Sequence, residues 1–303
     1  IFENVASGAV NKNMTVELAS NTTFKAPSAS ASVGLIAGNN AGVITNSEVS
    51  SLNNSALSIS LSSTDSYVAG FVGRNTGIIT NSRSLVSVFS NANLAGFAGT
   101  NSGTISSSYF YGGNLRNEST ATSSGGFTAG FVVNNSGKIN TSYVSDEVTT
   151  SEDEVYSPNA SSSIVSRNAI SGFVFTNSGG ISNCYSNIHM NNTSSLASGF
   201  VFNNEASGEV SSSISTSILN NNNTLSYGFA RENAGTISDG IYLSDNGIND
   251  SVGSVSNNER TSIMALSKEE FDINDENFAE NFRNFVYSNT RGYNAVWFYN
   301  NTN

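Results

Sequence analysis

The chain has 303 residues, of which 12 are Lys or Arg and 23 are Asp or Glu, giving a net charge of −11. No basic stretch is left to neutralise phosphates, which argues against nucleic acid and against insertion into an anionic membrane, and no run of about 18 apolar residues offers a membrane span. A single cysteine, Cys184, rules out an intrachain disulfide framework, and a single histidine, His189, leaves little around which to build a catalytic triad or a zinc site.

Charged residues make up only 12% of the chain while Ser, Asn, Thr and Gly abound, a profile that would suit disorder if bulky residues did not recur at regular places. A short motif appears first as Asn4 to Val10, mirroring Asn204 to Val210, and then from Gly34 to Ser47 with one extra residue before an Asn-Ala-Gly turn. Its full form is Gly70-Phe71-Val72-Gly73-Arg74-Asn75-Thr76-Gly77-Ile78-Ile79-Thr80-Asn81-Ser82. It returns at Gly96 to Ser108, Gly130 to Ser142, Gly172 to Cys184, Gly199 to Ser213 with two extra residues, and Gly228 to Gly240. Each of these eight units reads as a strand, a tight turn and a strand, with Asn75-Thr76-Gly77 supplying residues that tolerate a left-handed turn.

One such unit buries too little apolar area to stand alone, so the copies must stack and share a core. Stacking predicts an aromatic ladder of Leu35, Phe71, Phe97, Phe131, Phe173, Phe200 and Phe229, and an aliphatic one of Val10, Ile44, Ile79, Ile105, Ile139, Ile181, Val210 and Ile237. Asn40, Asn75, Asn101, Asn135, Asn177 and Asn233 each precede a turn glycine by two residues and are placed to bond the turn backbone as a polar ladder. The expected fold is all-β, a right-handed parallel β-solenoid over residues 1–257, closed by a small mixed helix and strand cap over 258–303. Ile1 begins inside a repeat, so the chain is expected to be a piece of a longer protein.

Turn glycines recur every 26 to 29 residues in the shortest coils (Gly77 to Gly103, Gly208 to Gly235, Gly179 to Gly208) and every 34 to 42 in the longest. Longer coils imply loops projecting from the shaft. One contains Asp146, Glu147, Glu152, Asp153 and Glu154 beside Tyr156; another holds Tyr109-Phe110-Tyr111-Gly112-Gly113, and both read as surface excursions. Beyond residue 258 the spacing of Met264, Leu266, Phe271, Ile273, Phe278, Phe282 and Phe285 turns helical or mixed, Ser267 to Glu270 fits a capping box, and Trp297 lies in an aromatic strand able to cover the last coil. Calcium is the one metal worth naming. Asp272, Asn274 and Glu276 resemble the start of an EF-hand loop, with Asn277 where glycine is needed, and Asp245 to Asp250 reads equally as a plain turn. The Asn-x-Ser/Thr triplets, such as Asn21-Thr22-Thr23, follow from composition.

The pattern from Gly70 to Ile79 resembles the GLUG repeat of filamentous-haemagglutinin-type adhesins and of some bacterial surface peptidases. The resemblance covers about residues 1–245, and the acidic, Phe-rich stretch leading to Trp297 is similar to segments that close such arrays. It implies a β-solenoid at a bacterial cell surface or secreted, reached by two-partner or autotransporter secretion. It also implies presentation rather than catalysis, since the peptidases carry their chemistry in a separate domain.

The expected function is therefore that of a non-enzymatic adhesin segment or stalk, without cofactor other than possible calcium, binding a host or neighbouring-cell glycan or protein. Tyr109, Tyr111 and Tyr156 are its expected aromatic anchors, with Asp153 and Glu154 as polar or calcium contacts. Rival readings are a filament or surface-layer subunit that self-associates end to end or laterally, a polysaccharide-processing β-helix enzyme with carboxylates aligned across coils, and an ice-binding face with a flat Thr array. Removing residues 258–303 is expected to bare the last coil and promote association, which size-exclusion chromatography with light scattering reads directly; a truncated chain that stays monomeric and equally stable contradicts the cap.

Overall fold

A computed structural model of the chain describes residues 1–26, 30–52, 55–61, 65–119, 125–145, 163–192, 196–219, 225–244, 250–256 and 261–267. Its elements are short β-strands paired in parallel with the equivalent strand one coil away, which makes the molecule a parallel β-solenoid. A typical coil runs Val72–Asn75, Ile78–Thr80, Arg83–Ser84, Ser87–Ser90 and Asn93–Ala95 before the next begins at Ala98. The first of these strands belongs to a nine-stranded sheet, the next two to a second sheet of fifteen, and the last two to a third and a fourth sheet of seven each.

Like stacks on like inside. Phe71, Phe97, Phe131, Phe173, Phe200 and Phe229 have no exposed surface, and successive rings lie stacked with centroids 4.7 to 4.9 Å apart. That spacing is the rise between parallel strands, so each ring is buried and each of the four inner ones has an aromatic neighbour on either side. Ile44, Ile79, Ile105, Ile139, Ile181, Val210 and Ile237 are buried in register on the second sheet.

Two buried polar ladders run beside this core. Asn40 Nδ2 donates to Asn75 Oδ1, Asn75 to Asn101, Asn101 to Asn135, Asn135 to Asn177 and Asn177 to Asn204, each at 2.8 Å. Asn204 then donates to Asn233 at 2.7 Å, and Asn233 to Thr261 Oγ1. The same amides also reach the carbonyls of their own turn glycines, Gly42, Gly77, Gly103, Gly137, Gly179 and Gly208. Asn204 precedes its glycine by four residues, not two, which is why spacing alone leaves it out of the ladder. The second ladder is made of hydroxyls: Ser47, Ser82, Ser108, Ser142 and Ser213 each donate to the carbonyl two residues back, and Ser82, Ser108, Ser142 and Ser213 also accept an N–H from the preceding coil. Cys184 occupies a slot in this series, its thiol against Ser182 O.

The residue before each slot of this series turns the corner of the second sheet, the slot itself holding Met14 in the first coil and Gly240 in the last. Asn13, Asn46, Asn81, Ser107, Thr141, Asn183, Ser212 and Asp239 take φ between 45° and 58°, one per coil. Short polar side chains tolerate this left-handed conformation better than apolar ones. The turn glycines, by contrast, do not use it, apart from Gly8 at φ 82°. Gly77, Gly103, Gly137 and Gly179 are needed for another reason: a Cβ on any of them would come within 3.0 Å of the carbonyl of the glycine one coil earlier. The expectation of a left-handed Asn-x-Gly turn is corrected accordingly.

Several register expectations also move. Ala37 pairs with Val72, so Ile36, not Leu35, takes the place of Phe71's ring, and the copy starting at Gly34 has no insertion before its turn. Val5 pairs with Asn40 and Asn11 with Ile44, which shifts the opening copy by one residue and leaves Val10 63% exposed outside the aliphatic ladder. At the far end, Val252–Val255 adds a ninth strand to the first sheet, and Thr261–Leu266 pairs with Thr236–Leu243 across a bulge. The solenoid thus continues past residue 257, and Ile263, Met264 and Leu266 sit on a strand; residues 268–303, with Trp297 and most of the capping box, lie outside the described residues.

Truncating a ring in the middle of the Phe ladder removes a buried side chain and two stacking partners, so Phe131→Ala is expected to cost about 3–5 kcal/mol. Asn135→Ala leaves the neighbouring amides of a buried ladder unsatisfied and is expected to cost about 1–3 kcal/mol. Lys138→Ala, at an exposed position of the same coil, should leave urea denaturation unchanged. Similar midpoints for Phe131→Ala and Lys138→Ala would contradict this inside and outside assignment.

Candidate functional site

Tyr109 and Tyr111 do not project on a loop. Strand Tyr109–Tyr111 is part of the second sheet, in register with Arg83–Ser84 and Tyr143–Ser145, and Phe110 between them is wholly buried. Alternation along the strand therefore turns both tyrosines outward. Tyr109 stacks on Tyr143 with centroids 4.6 Å apart and accepts a hydrogen bond from Arg83 Nη1 at 3.1 Å, while Arg83 Nε donates to Glu48 at 2.7 Å. Tyr109, Arg83 and Glu48 edge a shallow depression with Met14, Asn81 and Ser107. Burial, then the neighbouring Tyr109 and Tyr111, pushes the Tyr143 hydroxyl up to about 12.

The other expected contacts, Asp153, Glu154 and Tyr156, lie outside the described residues, as do Asp272, Asn274 and Glu276. Among the described residues no three His, Cys, Asp or Glu side chains gather to hold a metal ion. His189 is buried on strand His189–Asn192, pairing with Ser163 and Ile218. Cys184 is fully buried, and burial raises its thiol to about 12, so it is poorly suited to act as a nucleophile.

A second concavity lies elsewhere, in the angle between the fourth and first sheets. It is an open groove of about 830 Å³ running along the solenoid axis. One wall is an outward row of the first sheet: Arg74, Thr100, Asn134 and Thr176 follow one another at equivalent positions in four successive coils. The opposite wall comes from the fourth sheet, where Tyr67, Asn93 and Phe127 occupy one column by register.

The floor is graded. Gly73 and Gly99 leave it low, and a Cβ on Gly99 would meet the Cβ of Tyr67 at 2.6 Å, so the glycine makes room for the base of the Tyr67 side chain. Its hydroxyl reaches along the groove to accept a hydrogen bond from Asn134 Nδ2 at 2.7 Å. In the following coils Val133, Phe175 and Phe202 replace the glycines and fill the angle. Phe202 stacks on Phe175 and Phe175 on Phe127, both at 4.4 Å, and Arg231 caps the far end 4.9 Å above Phe202. The stack presents Phe127 to the groove, whose lining continues beside it through Thr176, Ser178 and Glu205.

Charge in the groove is sparse and mixed. Arg74 is exposed and bonded to no carboxylate among the described residues, whereas Asp65 borders the groove near Tyr67 and Glu205 borders it past Thr176. Burial, then Asp65, raises the Tyr67 hydroxyl above its ordinary value, against the opposing effect of the bond from Asn134. About four coils separate the two acids, roughly 20 Å at the usual strand spacing, too far for the paired carboxyls of glycoside hydrolysis. The arrangement is equipped to bind: two aromatic surfaces, hydroxyl and amide groups at a regular interval, and a guanidinium, all on strands. None of these groove residues stands out in the linear sequence. The residue before each ladder Asn and the residue three before each Gly-Phe start vary from copy to copy, which marks them as outward positions but does not mark them as a site.

Comparisons with known protein families, with curated proteins and with solved structures give no match for this chain.

Raising the pH past the ordinary tyrosine range should destabilise the fold through Tyr143. An unfolded chain ionises its tyrosines near 10, while the half-buried Tyr143 holds its proton to about 12, so stability is fully present below pH 10 and falls between 10 and 12. Urea denaturation at stepped pH should show a smaller alkaline loss for Tyr143→Phe than for the native chain; equal losses would place Tyr143 in contact with solvent.

Proposed function

We propose that the chain is a non-enzymatic, surface-displayed binding stalk, in which the solenoid holds the groove between the fourth and first sheets toward a glycan or protein of a host or neighbouring cell. One observation carries the reading: a long groove lined by Tyr67, Phe127 and a regular polar row, built on rigid strands. Sites on strands keep their geometry without a folding cost on binding, which favours recognition over adaptation. The GLUG-like motif supports display on a bacterial surface, and the acidic surface supports solubility in that setting.

Ice binding draws little support from the outward rows of the second sheet. One row, Thr45, Thr80, Ser106, Asn140, Ser182 and Ser211, carries mostly hydroxyls, but the parallel row of Val43, Ile78, Thr104, Lys138, Gly180 and Glu209 mixes charge and bulk.

A glycan and matrix-protein array, probed with the native chain with and without calcium, is the direct test. Retained signal on a defined ligand supports the stalk. Absence of any ligand overturns it, and release of shortened glycan overturns the non-enzymatic reading. A variant lacking residues 146–158 separates the groove from the acidic segment, since a groove ligand should survive that deletion.

A further inference from the structure

We infer that the groove takes a neutral, linear polysaccharide laid along the solenoid axis, with about four sugars engaged at once, one for each coil of the Arg74, Thr100, Asn134 and Thr176 row. This deepens the binding role proposed above and rests on it. Successive coils each place one polar side chain on this wall at the strand spacing, close to the advance of one sugar in an extended chain, so a linear polymer can meet a hydrogen-bonding group at every coil. The Tyr67 ring, whose hydroxyl reaches along the groove to Asn134, and the Phe127 ring at the end of the stack offer apolar faces to the C–H faces of sugars.

Charge selects against the acidic alternatives. A polyuronate or sulfated glycan would meet a chain of net charge −11, with Asp65 and Glu205 at the two ends of the groove and Arg74 as the single cation lining it among the described residues. Neutral hydroxyls suit this mixture, because the guanidinium and amide donate to them and the carboxylates accept from them. A peptide is disfavoured for a different reason. Extended peptides gain affinity by pairing with a free sheet edge, whereas the walls here are strand faces whose backbone groups are already bonded between coils.

The test is isothermal titration of the native chain with neutral β-linked gluco- and manno-oligosaccharides of two to six sugars, beside oligogalacturonates of equal length. Affinity for a neutral series should rise up to about four sugars and then level, as the row of four coils requires. Arg74→Ala, at an exposed position that leaves the core intact, should weaken binding at least tenfold; Tyr67→Ala should do likewise with an unchanged circular dichroism spectrum, and Tyr109→Ala should bind as the native chain does. Preference for oligogalacturonate, or binding indifferent to Arg74→Ala, overturns the inference. A chain that binds a protein on the array but no oligosaccharide overturns the inference and leaves the stalk standing, whereas a chain that binds nothing overturns both.

Discussion

The donation of one Asn amide to the next, coil after coil, is the interaction on which the rest of the solenoid depends. Each turn brings a backbone carbonyl inside, next to a wall of Phe and Ile, where an unsatisfied polar group would cost about 1–3 kcal/mol. The ladder removes that cost with one side chain per coil, since each Nδ2 reaches both the next Asn and its own turn glycine. Asn is suited to this slot because its short side chain carries a donor and an acceptor at once; Asp would place charge on charge at every coil, and Ser lacks the reach and the second hydrogen. At the first coil the slot is taken by the buried Val5, and at the far end, where Val255 pairs with Asn233, the last amide donates instead to the Thr261 hydroxyl.

Once coils are held at one strand spacing, backbone has to approach backbone at the turns, and this is what the glycines provide. Their value lies in the missing Cβ rather than in unusual dihedrals, since the carbonyl one coil away already fills the space a side chain would need. The left-handed corner is handled separately by Asn, Ser, Thr or Asp, and in the coils between the first and the last a hydroxyl or thiol just after it holds the strand end. Two constraints that look alike in sequence, a small residue beside a polar one, thus answer two different physical demands. Thr141 is the most costly solution of the second, because a β-branched residue fits φ 47° poorly, and it sits within the ladder segment where stacking on both sides can hold it.

Periodicity made the interior legible because identical neighbours must touch: Phe71, Phe97 and Phe131 could be assigned to one column without knowing how the chain turns between them. The same logic failed where the repeat is degenerate. Leu35 and Val10 were each placed one residue off, since glycine and valine neighbours gave two acceptable alignments and only backbone pairing distinguishes them. Asn204 was passed over because a turn lengthened by two residues hides an Asn whose coil-to-coil position is unchanged. The groove was not legible at all, for the reason that the ladders were: outward positions are free to differ, so they leave no repeating signal, and Tyr67 meets Asn134 across 67 residues of sequence.

That freedom explains where recognition can arise in such a fold. Inward positions are tied to their neighbours two at a time, and changing one disturbs both, whereas a residue on the outward row of the first sheet touches solvent on one side and can vary alone. The sheet angle then converts local variation into shape. Gly73 and Gly99 keep the floor low where Tyr67 lies, Val133 raises it, and Phe175 and Phe202 raise it further, all within one column of equivalent positions. Because each coil contributes one residue to each wall, lengthening or closing the groove requires changing single outward residues without altering the Asn, Phe or Ile columns beneath. The chemistry of the surface and the stability of the shaft are thereby separable.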